Sequence, residues 1–254
     1  MMAGLGTFLR KELLEQWRTL RLPVVAMIFL LVGLSSPLLA RFTPDILEAV
    51  AGDQFQVVLP TPTAADAVDQ LAKNLGQFGG LIAVLLAMGS VATEKERGTA
   101  ALFLTKPLSR AAFLTAKLLA IGLTLGVSVA IATAGAWFYT LVLFEPLALP
   151  GVAAGGVLQW LTLMAWASIT FVGSTLTRSS LAAAGLGIVA FIVVGILGVL
   201  PNVGTFLPTG LGGPGRALAL GVPGPDPIVP TVATIVLIGA TGLVAWLAFR
   251  RQEL

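Results

Sequence analysis

The side chains with the most capacity for chemistry lie in one stretch, Thr93 to Lys117, which reads TEKERGTAALFLTKPLSRAAFLTAK. Glu94, Lys95, Glu96, Arg97, Lys106, Arg110 and Lys117 crowd into it, although only 11% of the chain is charged. The order of these residues suits the ends of helices. Thr93 is a candidate cap, with Glu94 and Glu96 near the positive end of the dipole that follows. Gly98 relaxes the backbone, and Thr99 is a second candidate cap before AALFLT. Pro107 breaks the chain, and Ser109 is placed to cap a helix starting at Arg110. The pattern predicts a short helix whose apolar ALFL face is wasted against water and useful against a partner or a bilayer surface.

What is missing narrows the chemistry further. Cys and His are both absent. Disulfides, thiol nucleophiles, imidazole bases and the usual transition-metal ligands go with them, and the redox compartment is unreadable. No G-x-x-x-x-G-K-[ST] occurs, so the chain lacks a nucleotide-binding P-loop of its own. No catalytic, metal-binding or cofactor-binding residue is expected.

The elements that must carry the charged stretch follow from composition. Of 254 residues, 57% are hydrophobic, and the mean hydropathy is +0.96. A soluble domain carries about 25% charged residues. The expected class is an all-α integral membrane protein, one transmembrane domain over residues 1–254. Charge-free runs cover 22–40, 74–93, 118–144, 146–177, 179–215 and 227–249. About 20 apolar residues cross the roughly 30 Å hydrocarbon layer. Six spans are therefore predicted, at about 22–40, 78–93, 112–144, 152–177, 180–200 and 229–249, with Pro201 ending the fifth. Continuous apolar runs exclude the alternating pattern of a β-barrel. The long charged N-terminal flank, with Leu38 two before Ala40, reads as a retained helix and not a cleaved signal.

With the N-terminus in the cytoplasm, Arg10, Lys11, Arg18, Arg21, Lys95, Arg97, Lys106, Arg110, Lys117, Arg178, Arg250 and Arg251 share that side. Only Arg41, Lys73 and Arg216 fall outside. Both termini are thus expected in the cytoplasm, and the charge of +3 is a topology signal with no nucleic-acid partner behind it. Within the spans no Asp or Glu is expected, and Lys117 is near enough to Arg110 to snorkel. That weighs against ion-coupled transport and intramembrane proteolysis, and leaves any driving energy to another protein. The neutral polar residues Thr124, Ser128, Thr133, Tyr139, Gln159, Thr162, Ser168, Thr170 and Ser174 read mostly as interhelical hydrogen bonds. The Gly122/Gly126 and Gly151/Gly155 pairs are weak signals among 29 glycines.

Residues 5–21 predict a helix lying in the lipid bilayer interface. Leu9, Leu13, Trp17 and Leu20 form its stripe, and Arg10, Lys11, Glu12, Glu15, Arg18 and Arg21 take the other positions. A plain topology anchor is the alternative. External loops are expected at 41–77, 145–151 and 201–228. In the first, Thr63 or Asp66 is a candidate cap for a short amphipathic helix. The last either dips back at RALALGV or packs as coil over the helix ends.

EKERGTAALFLTKPLSRAAFLTAK resembles the E-x-E-x-G-T…L…P-x-S-R…K signature that follows the second span of ABC-2-type transporter permeases. KELLEQWRTLRL, TPDIL and LPTPTAADAVDQLAKNLGQFG are similar to one branch of that family, so the likeness lies mainly in the first half. The resemblance implies six membrane helices, a second permease copy or related chain as partner, and a separate P-loop ATPase subunit that carries ATP and Mg. It implies a coupling helix seated on that ATPase, formed around Glu94, Glu96, Arg97, Gly98, Thr99, Leu102, Pro107 and Arg110. Beside it would lie the interfacial helix with Leu9, Lys11, Glu12, Leu13, Trp17 and Arg18. Such permeases sit in the cell membrane and mostly export. Two other classes compete: a secondary transporter or channel without an ATPase, and a non-transporting membrane assembly factor.

Overall fold

The structure, a computed structural model, describes residues 4–51, 61–99, 109–200 and 202–252. Every regular element among them is helical. Six helices are long and apolar enough to cross a membrane: Arg21–Ala49, Ala64–Glu96, Arg110–Leu143, Leu149–Leu176, Ser180–Leu197 and Ile228–Arg250. The chain begins with α1 (Leu5–Arg18), followed by α2 (Arg21–Ala51). The second crossing is built from α3 (Ala64–Asn74), a π-turn at Leu75–Gly79, α4 (Gly80–Met88) and α5 (Ala92–Glu96). Then come α6 (Arg110–Leu143), α7 (Leu149–Leu176) and α8 (Ser180–Leu197). Two 3-10 turns, Gly204–Phe206 and Pro208–Leu211, lead into α9 (Gly212–Leu220), and α10 (Ile228–Arg250) closes the bundle.

The first three crossings are longer than their charge-free runs, and the first external loop shrinks accordingly. Helix α2 continues through Arg41 to Ala51 with Pro37 and Pro44 inside it, instead of stopping at 40. The second crossing starts at Ala64, not 78. A charged residue marks where lipid ends, whereas a helix ends only where its backbone hydrogen bonds do. At Ala64 the start is set by a capping interaction: the Thr63 N–H and hydroxyl both donate to Asp66 Oδ2, at 2.7 and 2.8 Å. The π-turn is tied to α2, where Asn74 Nδ2 donates to the buried Ser36 Oγ at 2.9 Å. Helix α8 stops at Leu197, a few residues before the expected 200, and Pro201 lies outside the described residues.

Helix α6 packs mainly on α2, and α7 touches α4, α6, α8, α9 and α10. Phe29, Phe113, Leu125, Leu163, Phe171 and Phe249 are the large side chains fully enclosed between them. The Phe113 ring stacks on Phe249 at 5.5 Å and meets Phe8 at 5.3 Å, which joins α6 to α10 and α1. At the end far from the charged stretch, α9 lies against α7. Gly151 faces the Leu218 carbonyl and Gly155 the Gly215 carbonyl so closely that a Cβ at either would collide. The weak Gly151/Gly155 signal is thus a packing contact. The segment 201–228, left open between coil and re-entrance, is the two turns plus α9. Arg216 Nε closes it onto α3 through Asp69 Oδ1 at 2.6 Å.

Candidate functional site

The charged ends of the helices converge on Lys117. Helix α1 buries Phe8, Glu12 and Gln16, one turn apart, against α6. Lys117 is 4% exposed, and its Nζ lies 3.1 Å from Glu12 Oε1 and 2.7 Å from Glu94 Oε1. One ammonium thus ties α1, α5 and α6 together. Phe8 and Phe113 close over the amine, with ring centroids 5.8 and 5.2 Å away. Two turns further along α6, the Thr124 hydroxyl donates to Gln16 Oε1. Lys117 therefore does not snorkel to the membrane surface: two carboxylates reach it first. In an interior site their attraction replaces the hydration it gives up.

Lys11 stands at the rim of this cluster, 2.6 Å from Glu15, 2.9 Å from Glu12 and 3.8 Å from Glu94. Burial alone would lower the Lys11 pKa, but the Glu15 and Glu12 carboxylates raise it above the ordinary 10.5. Burial would likewise raise Glu15, and the Lys11 hydrogen bond instead holds it below 4.5. A polar cavity of about 260 Å³ opens between α1, α5 and α6, lined by Lys11, Glu12, Glu15, Arg21, Glu94 and Arg97 among others. The second Glu94 oxygen is buried with no partner among the described residues.

A second set of cations holds helix C-termini. Lys95 Nζ donates to the Thr175 carbonyl at 2.7 Å and to Gln252 Oε1 at 3.1 Å. Gln252 Nε2 donates to the same carbonyl at 2.9 Å. Arg110 Nη1 reaches the carbonyls of Phe249, Arg250 and Gln252 at 3.0, 2.9 and 3.1 Å. The last carbonyls of α7 and α10 have no partner within their own helices, so a cation there satisfies both hydrogen bonding and dipole.

The caps read from sequence divide. Ser109 Oγ accepts from the Ala112 N–H at 3.1 Å, as expected. Thr93 lies inside α5, not at its start. Ser174 on α7 takes the cap instead, accepting from the N–H groups of Val91 and Ala92, both at 3.0 Å. The Thr93 hydroxyl meets Ser180 Oγ at 3.0 Å. A cap supplied 83 residues away leaves no local pattern.

The residues expected in the coupling helix separate into two groups. Glu94 and Arg110 turn inward to the contacts above, while Glu96, Arg97 and Gly98 are exposed. Gly98 has φ +68°, a left-handed turn that suits glycine. The Thr99 hydroxyl returns to the Glu94 carbonyl at 3.3 Å. Leu102, Pro107 and the ALFL face lie outside the described residues. On α1, Leu9 and Leu13 are half-buried and Trp17 and Arg18 exposed. The expected stripe is thus only one edge of the helix, and Glu12 lies on the inward face. Gln16 and Gln252 had no signal in the sequence, because their partners are distant in the chain, whereas Ser174 was among the residues expected to bond between helices and does so.

A family model described as "ABC-2 family transporter protein" matches residues 7–211. The chain is also similar to the uncharacterized transmembrane protein YxlG of Bacillus subtilis (strain 168). The two are 28% identical over 182 residues, spanning 71% of this chain and 70% of that protein.

Proposed function

The chain belongs to the ABC-2 transporter family, and from that membership we propose that a separate ATPase drives it as an exporter. It is a membrane-embedded permease subunit in a multi-pass protein. In the proposed complex the ATPase carries the P-loop, ATP and Mg, and this chain contributes no catalytic group. A second permease copy or related chain completes the pathway. The cell membrane is its place, with both termini cytoplasmic, as the distribution of Lys and Arg favours.

The observation that carries this reading is the Glu12–Lys117–Glu94 cluster. A coupling element must do two things at once: present a surface to the motor and grip the helices that move. Glu96, Arg97 and Gly98 present the surface. Glu94, in the same short helix, grips Lys117 on α6 and, through it, α1. A push on the exposed residues is therefore delivered to two helices together, and closure of the ATPase pair would switch the cavity between its two faces.

Co-purification with the cognate ATPase tests this. Glu96→Ala with Arg97→Ala is expected to weaken the complex, while Glu94→Ala leaves binding but cuts permease-stimulated ATP hydrolysis. Unchanged binding and hydrolysis in the Glu94→Ala, Glu96→Ala double variant would overturn the coupling role.

A further inference from the structure

An apolar groove of about 410 Å³ runs between α6 and α7 on the membrane-facing surface. Gly126, Val129 and Trp160 form its deeper end, and Ala130, Ala153 and Val157 its walls. Ala130, Ala153 and Val157 are exposed along spans that lipid surrounds. Thr133 and Gly156 belong both to this groove and to a smaller cavity of about 60 Å³ behind it, which Gln159 and Arg216 also line.

Thr133 is the unusual member. Its side chain is buried, and its hydroxyl has no partner among the described residues. Ser128 and Thr140 on the same helix return their hydroxyls to the carbonyl four residues back, at 2.8 Å each. That is the default for a hydroxyl in a membrane helix, and a buried polar group without it is destabilising. Gly156 opposite has no side chain to fill the space: a Cβ there would stand 2.9 Å from Thr133 Oγ1.

The geometry also has a direction. Thr133 is sixteen residues beyond Lys117 on α6, about 24 Å at 1.5 Å per residue. In a hydrocarbon layer of about 30 Å, it lies near the boundary opposite the charged ends. From there to Gly126 the groove descends seven residues, about 10 Å, toward the midplane. A polar point near the boundary with an apolar channel descending from it matches how a lipid stands in that leaflet. We propose that this groove binds a diacyl phospholipid of the leaflet opposite the charged ends, its ester carbonyl accepting from the Thr133 hydroxyl and one chain lying along Gly126 and Trp160. This deepens the transport reading by naming a substrate class, and its leaflet is the outer one if the sidedness above holds. The binding test itself needs neither the ATPase nor the sidedness.

The full chain, purified and reconstituted, is titrated with phosphatidylcholine bearing a photoactivatable diazirine in one chain, and labelled peptides are mapped. Labelling of 126–134 and 149–160 is expected to saturate and to be competed by unlabelled phosphatidylcholine. Labelling of 186–193 on lipid-exposed α8 should rise linearly. Thr133→Val should raise half-saturation about 3- to 10-fold, the loss of one hydrogen bond, without changing labelling by a diazirine hydrocarbon that has no headgroup. Ala130→Trp should abolish the saturable part. Linear labelling in the groove, or an unchanged half-saturation in Thr133→Val, overturns the proposal. So does disulfide-linked dimer formation by Ala153→Cys in this cysteine-free chain, because the groove would then be covered by a second copy.

Discussion

Lys117 is the residue on which most of the charged end depends. Removing its ammonium leaves Glu12 and Glu94 facing each other inside the protein, and breaking a buried pair in this way costs about 3–5 kcal/mol. Lys117→Ala is therefore expected to lower the melting temperature in detergent sharply. The triple variant Glu12→Gln, Lys117→Met, Glu94→Gln should recover most of that loss, since no uncompensated charge remains. A triple variant as unstable as Lys117→Ala would show that packing, not charge, is at stake. The rim pair carries the pH dependence. Glu15 is held below its ordinary 4.5 by Lys11, so its contribution is complete above that value and lost as pH falls beneath it. Lys11 is held above 10.5, so its contribution is complete below that value and lost as pH rises past it. Glu15→Gln should flatten the acid limb of a stability–pH profile, lying slightly below the parent at neutral pH and converging with it as pH falls beneath 4.5.

Helices were legible where their signals are local and obscure where a partner is remote. Six apolar runs announced six crossings, Ser109 announced the start of α6, and Thr63 with Asp66 announced α3. The ends of α2 and the start of the second crossing were not legible, because charge marks the lipid boundary and not the last hydrogen bond. The inward face of α1 was misread for a similar reason: Glu12 and Gln16 look like water-facing residues until Lys117 and Thr124 are beside them. Two predictions belong to elements. Gly98→Ala places a side chain at φ +68°, a strain of about 1–2 kcal/mol; it should reduce stimulated ATP hydrolysis while the melting temperature moves only slightly. Gly151→Val drives a side chain into the Leu218 carbonyl, and overpacking of this kind costs about 1–3 kcal/mol. A melting temperature equal to that of the parent would mean that α9 is not held on α7 as described.

For the molecule as a whole, composition alone fixed the solvent: a chain this apolar belongs in a bilayer. The most lipid-like surfaces are α8 and α10, whose apolar windows are only 17% buried. Their outer faces carry Leu181, Val189, Ile196, Val232 and Val236, all exposed. Without lipid or another chain against them, they form an apolar surface far larger than soluble proteins tolerate. Family membership was legible from one loop and its flanks, whereas the grip that makes the loop mechanically useful was not. That grip needs residues 12, 94 and 117, which only folding brings within 3.1 Å.

The same triad also bears on the order in which the protein is made. Glu12 leaves the ribosome 105 residues ahead of Lys117, an interval of about 5–20 s at 5–20 residues per second. During that time α1 has only its own Lys11 to set against that acid, and its Phe8–Glu12–Gln16 face has no α6 to pack on. Only once α6 is made can that face be buried as it is in the folded protein. The sequence of that one segment therefore has to serve it both before and after α6 is in place.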